Sequence, residues 1–206
     1  MITFEWMSTQ RTRRSGIERR VELVDAALRI IETRGISALT TRALADEVGL
    51  TPGAMFRHFA SLDALLDAVV IRVEEVLAAT YPAPGLDPLE RLLRFVEARA
   101  SAVGEQRGVL RLMLSEQFAL ALPASSAVRL RRSVERTVGF VLDAVTEGQK
   151  VGSFRNDVDT RALVALVLGV IQTLALGRAG PLTGLGLEAG PLLEGLRVML
   201  EAPQRR

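Results

Sequence analysis

The chain has no cysteine, and only one histidine (His58), one lysine (Lys150), one tryptophan and one tyrosine. No disulfide framework or thiolate metal site can form, which fits a reducing, cytoplasmic setting. A lone histidine without cysteine offers neither the usual transition-metal ligand sets nor a catalytic triad, so no catalytic residue, metal or cofactor is assigned. The chain has little β-branched alternation, which argues against a sheet. No apolar run reaches the roughly 20 residues needed to cross a bilayer. The longest, residues 162–176, reads as a buried helix, and residues 1–10 carry no export-signal pattern. Residues 180–190 are glycine-rich but contain no lysine and follow no strand, so they make no phosphate loop.

What is present points to an all-α protein. With 206 residues and 49% hydrophobic content, the chain can bury a substantial core in one or two domains. The formal net charge of +2 is no argument for a nucleic-acid partner. Its distribution is more informative. Arg11, Arg13, Arg14, Arg19 and Arg20 gather ahead of the first helix, a basic arm able to follow phosphates or enter a minor groove. The competing reading of that arm is a solvated tail.

Residues 40–59, TTRALADEVGLTPGAMFRHF, carry two short helix signals separated by a glycine turn. Thr40 can cap the first helix, and Leu44, Ala45 and Val48 repeat on one face. Gly49 supplies the left-handed angles of a sharp turn, and Leu50 pins that turn to the core. Thr51 caps the second helix, residues 52–58, and Pro52 fits its first position because its missing N–H would have had no partner there. Met55 and Phe59 would face inward. Gly53 and Ala54 are small enough to let the backbone approach DNA, with Thr51, Arg57 and His58 supplying hydrogen-bond donors around them. An ordinary αα-corner is the plainer alternative.

The series Arg20 to Gly35, then LTTRALA from Leu39 and GLTPGAMFRHF from Gly49, resembles the N-terminal domain of TetR-type transcriptional regulators over residues 17–70. That resemblance implies an N-terminal three-helix domain containing the helix-turn-helix, joined to a larger helical domain for ligand binding and dimerisation. The residues expected to contact DNA are Arg13, Arg14, Thr40, Thr41, Arg42, Thr51, Pro52, Gly53, Ala54, Phe56, Arg57 and His58. Two positions depart from the family pattern: Phe56 stands where a tyrosine is usual and Leu62 where a lysine is usual. Both usual residues touch phosphates, so backbone anchoring must come from other groups, or the operator is held less tightly.

Punctuation divides the chain into a basic arm (residues 1–16), a helix-turn-helix domain (17–60), a connecting helix (61–81) and a larger domain (88–201). Three prolines and a glycine in residues 81–88 make the strongest boundary. The first helix should span 17–34 with Ile17, Val21, Val24, Leu28 and Ile31 inward. Ser61 should cap a helix running to about residue 80. Further helices are expected at 88–103, 105–120, 125–150, 160–178 and 188–200, with Ser125 and Ser126 read as a cap.

Residues 160–178 are apolar nearly all round, which requires cover on more than one side. A second copy can supply it, so Leu163, Val167, Val170, Ile171, Leu174, Leu192, Leu196 and Met199 are expected in a four-helix homodimer interface; burial inside one protomer is the alternative. An effector cavity is expected among Phe95, Arg99, Met113, Leu114, Gln117, Phe118, Phe140 and Gln172, and its sparse polar groups favour a largely apolar small molecule. Arg94, Glu97, Glu74 and Glu75 read as solvated charges. The expected function is a dimeric, sequence-specific regulator of a near-palindromic operator, a repressor released by that molecule, with no membrane partner. The alternatives are an effector-free architectural DNA-binding protein and an all-α enzyme or interaction module with an incidental helix-turn-helix.

Overall fold

A computed structural model describes residues 16–106, 108–109, 120–177 and 188–202. These residues form eight α-helices and no strand. The first is α1, Gly16–Arg34, which buries Leu23, Val24, Ala26, Ala27, Leu28, Ile30 and Ile31. Ile17 and Val21 are exposed, contrary to the expected stripe, because the covered face of α1 starts at Leu23.

Local chemistry sets the next three helices. In α2, Thr41–Glu47, the Thr40 hydroxyl accepts from the Ala43 N–H, and Gly49 at φ 66° ends the helix in the left-handed region that favours glycine. The turn is fixed by the Leu50 N–H donating to the Ala45 carbonyl at 2.8 Å. In α3, Pro52–Met55, the Thr51 hydroxyl accepts from the Ala54 N–H and Pro52 takes the first helical position. This helix is shorter than the sequence predicts. After Met55 the chain tightens, with the Arg57 and His58 N–H groups bonding three residues back to the carbonyls of Ala54 and Met55. α4, Leu62–Ala78, is capped by Ser61 through the Ala64 N–H.

After a turn containing Gly85 at φ 93°, Asp87 caps α5, Pro88–Glu105, by accepting from the Leu89 and Glu90 N–H groups. α6 spans Ala124–Lys150, α7 Thr160–Gly177 and α8 Ala189–Leu200. The helix expected at 105–120 lies largely outside the described residues. α5 packs on α6 and α7, α8 on α5 and α7, and α4 on α6. No described helix is long and apolar enough to cross a membrane.

Two apolar cores result. One joins α5 to α8 around Phe95, Val141, Phe154, Val167 and Leu196. The other fills α1 to α4, but Val103, Val109, Leu122, Leu130 and Ala175 from the larger helical region complete it. Here the backbones approach closely: a Cβ on Gly108 would stand 2.5 Å from the Leu28 carbonyl oxygen. A polar seam runs beside this contact. Arg129 on α6 donates to the Glu74 carboxylate on α4, and Ser126 donates to Asp67 at 2.9 Å. Glu74 is therefore paired across helices rather than solvated. Ser126 is buried in this seam and is no cap, since α6 is entered through Pro123 without a side-chain cap.

Candidate nucleic-acid interface and effector site

α3 is carried on its inner face by Met55 and Phe59, both essentially fully buried. That anchoring turns the other side outward. Thr40, Arg42, Thr51, Pro52, Gly53, Phe56 and Arg57 are exposed, and Thr41, Ala54 and His58 are half-buried. The expected contact residues that can be located thus share one accessible region at the start of α2 and along α3. Arg13 and Arg14 lie outside the described residues. A Cβ on Gly53 would meet no atom within 4 Å, so nothing inside the protein requires a glycine there. Phe56, where the resemblance leads one to expect a phenol, presents an apolar ring that is 49% exposed. Leu62 is half-buried against the core of the reader and supplies no charge toward a phosphate.

Two supports of this region have no counterpart in the sequence pattern. Arg20 reaches from α1 to donate to the His58 carbonyl and to lie over the Phe59 ring. Arg29 and Arg34, also on α1, donate to the two oxygens of Glu47 at the end of α2, at 3.4 and 3.2 Å. Neither has a periodic signature, because the partners are far apart along the chain.

The helices after α4 hold an aromatic cluster that includes some of the residues expected at an effector cavity. The Phe95 and Phe140 rings are 4.5 Å apart, and Tyr81 closes the group at 5.4 Å from Phe95 and 5.2 Å from Phe140. In the sequence Tyr81 stands out only as the start of a helix-breaking segment. Arg99 is 1% exposed, and its guanidinium carbon lies 4.8 Å from the Phe95 ring centre and 5.1 Å from that of Tyr81. Burial lowers its pKa; the Tyr81 hydroxyl opposes that shift and Arg136 adds to it. Gln172 is exposed on α7 and does not join the cluster. Met113, Leu114, Gln117 and Phe118 lie outside the described residues.

The eight residues expected at a dimer interface divide. Leu163, Val167, Ile171, Leu174 and Leu196 are buried in the protomer's own core. Val170 and Leu192 are half-buried, and Met199 is 47% exposed. The sequence signal is ambiguous because α7 is covered by α5, α6 and α8 within one molecule, which already consumes most of its apolar circumference. Among the described residues of α7 and α8, the open large apolar side chains are Leu166 and Leu176 on the first, and Val198 with Met199 on the second.

Known proteins share both the sequence pattern and this architecture. Residues 23–69 match the family described as bacterial regulatory proteins, tetR family, and residues 85–176 match the tetracyclin repressor-like C-terminal domain. The HTH-type transcriptional repressor KstR2 of Rhodococcus jostii is 34% identical over 152 residues, covering 68% of this chain and 70% of that protein. The Escherichia coli regulator UidR is 24% identical over 160 residues, covering 75% and 81%. Among solved structures, the ketosteroid regulator KstR2 of Mycobacterium tuberculosis has a TM-score of 0.76 at 24% identity, covering 90% of this chain and 96% of that one. AibR in complex with isovaleryl coenzyme A and operator DNA has a TM-score of 0.73 at 18% identity, covering 90% and 99%. The chain belongs to the TetR family and is a DNA-binding transcriptional regulator.

Proposed function

We propose that the protein is a homodimeric repressor that reads a near-palindromic operator through α3 and is released by a small, largely apolar effector. The observation that carries this reading is the placement of α3, anchored by Met55 and Phe59 with Gly53, Phe56 and Arg57 left outward. The division into arm, reader, connecting helix and larger domain at 1–16, 17–60, 61–81 and 88–201 belongs to the same proposal. The relatives that are named repressors support the sign of regulation, and AibR, which shares the fold, is a precedent for holding operator DNA and a small molecule, isovaleryl coenzyme A.

Two-fold pairing gives such a reader its spacing rule. Two copies of α3 must meet half-sites about one helical turn apart, roughly 34–36 Å. The open residues of α7 and α8, with Gly169 and Gly195 leaving room for close approach, offer the surface for the second copy. Release requires the effector to bind more tightly to an arrangement in which the paired readers no longer fit successive grooves. The larger domain grips the rest of the chain mechanically at two places: the reader, through the continuous core at Gly108 and Leu28, and the connecting helix, through the seam of Arg129 with Glu74.

Selection of bound sequences from a random DNA pool tests the reading. Inverted half-sites about one turn apart are expected. Enrichment of a single unrepeated site counts against the dimeric reader, and no enrichment at all counts against sequence-specific recognition.

A further inference from the structure

Arg99 is a charged side chain in an interior whose described groups give it no carboxylate, the Tyr81 hydroxyl being the neighbour that favours its charged form. The Nε and both terminal nitrogens are buried and have no hydrogen-bond partner among the described residues. A guanidinium carries five N–H donors and stays charged at any physiological pH, so leaving them unmet is among the more costly arrangements in a folded core. A methionine would fill similar space without that cost. The contacts with the Tyr81 and Phe95 rings engage the guanidinium carbon and take none of the donors. The charged neighbour that Arg99 feels is Arg136, which has the same sign. Arg136 in turn lines an open cleft of about 680 Å³ with Glu74, Arg129, Arg132 and Glu135, and Glu74 is already engaged by Arg129. Arg136 therefore stands both near the buried guanidinium and at a cleft where three arginines face two glutamates.

We infer that Arg99 is the recognition group for the effector's anionic head, and that the effector is an apolar carboxylic acid whose body packs on Tyr81, Phe95 and Phe140. The inference rests on the reading of the chain as an effector-released regulator, and it adds the one polar feature that a purely apolar ligand lacks. One guanidinium matches a planar carboxylate in a two-point fork and neutralises a single charge. A phosphate dianion would leave excess negative charge buried, which favours the carboxylate. Tyr81 ties the site to the reader. It follows α4 directly, so a ligand that pairs with Arg99 and presses on this ring acts where the connecting helix meets the larger domain.

The test uses the full-length protein without DNA. Octanoate and phenylacetate are titrated by calorimetry and thermal melting, each against its neutral partner, octanol and phenylacetamide, with inorganic phosphate and chloride as separate arms. The acids are expected to bind and raise the melting temperature, while the neutral partners, phosphate and chloride do not. Arg99→Met should melt about 2–4 °C higher without ligand, because an unmet buried charge is gone. It should bind the acids about 10- to 100-fold more weakly. Arg99→Lys, which keeps the charge but loses the fork, should fall between. Equal binding of acids and neutral partners, a full acid response in Arg99→Met, a response to phosphate or chloride alone, or no acid-dependent shift at millimolar ligand overturns the inference. Release of the selected operator, followed by fluorescence anisotropy, separates the two readings. Acids that bind without releasing DNA leave Arg99 as the anion site and sink effector-driven release. Release by octanol but not octanoate does the reverse.

Discussion

Arg20 on α1 donates to the main-chain carbonyl of His58, and its guanidinium carbon sits 4.1 Å from the centre of the Phe59 ring. One side chain thus holds both a main-chain carbonyl of the segment that follows α3 and the aromatic residue that anchors it. Arg20→Ala should lower stability by about 1 kcal/mol and weaken operator binding, since α3 loses a brace without losing any residue of its exposed face. A melting temperature unchanged by the substitution would show that the brace contributes nothing in solution.

Gly53 separates recognition from folding. Its backbone is ordinary helix, and an added Cβ meets no protein atom within 4 Å. Gly53→Leu should therefore melt at or above the parent temperature, because glycine is the weaker helix former by about 1 kcal/mol. The same side chain would stand between α3 and the groove floor, so operator affinity should fall at least tenfold. Retained affinity would mean that α3 enters the groove with another face.

Gly108 tests the join between the reader and the larger domain. A Cβ there would lie 2.5 Å from the Leu28 carbonyl oxygen and 3.0 Å from its carbonyl carbon, both of them backbone that cannot swing aside. Gly108→Ala must push α1 away, and overpacking of this kind costs about 1–3 kcal/mol. Lower thermal stability is expected together with reduced DNA binding, although the residue lies outside the reader. Normal values of both would show that α1 shifts freely at this point.

The reader is legible in the sequence because its determinants are local. Thr40, Thr51, Ser61 and Asp87 each cap a helix through backbone N–H groups two or three residues ahead, and Gly49 and Gly85 take the left-handed angles that the turns demand. Spacing alone carries such signals. Ser126 looks like a cap in the sequence because its partner, Asp67, is 59 residues away. Glu74 looks solvated for the same reason, its partner Arg129 being 55 residues distant. Arg99 and Tyr81 meet only after the chain turns between α4 and α5, so the buried charge has no signature in periodicity.

α7 is where sequence reasoning meets its physical limit, and it yields the sharpest test of assembly. An all-apolar helix reads identically whether its cover comes from its own protomer or from a second copy, and in α7 the protomer already covers Leu163, Val167, Ile171 and Leu174. What remains for a partner is the uncovered side: Leu166 and Leu176 on α7, 43% and 39% exposed, and Val198 and Met199 on α8 at 60% and 47%. Leu166→Glu with Val198→Glu places two charges on this surface while leaving the buried set intact. Light scattering should then give a monomer mass with helicity and melting behaviour close to the parent. DNA binding should fall steeply, because a single reader forfeits the second half-site and its phosphate contacts. By contrast, Leu163→Glu strikes the protomer core and should unfold the larger domain. A double variant that stays dimeric would move the pairing surface elsewhere, with the exposed Val138 and Leu142 of α6 the next apolar residues to test.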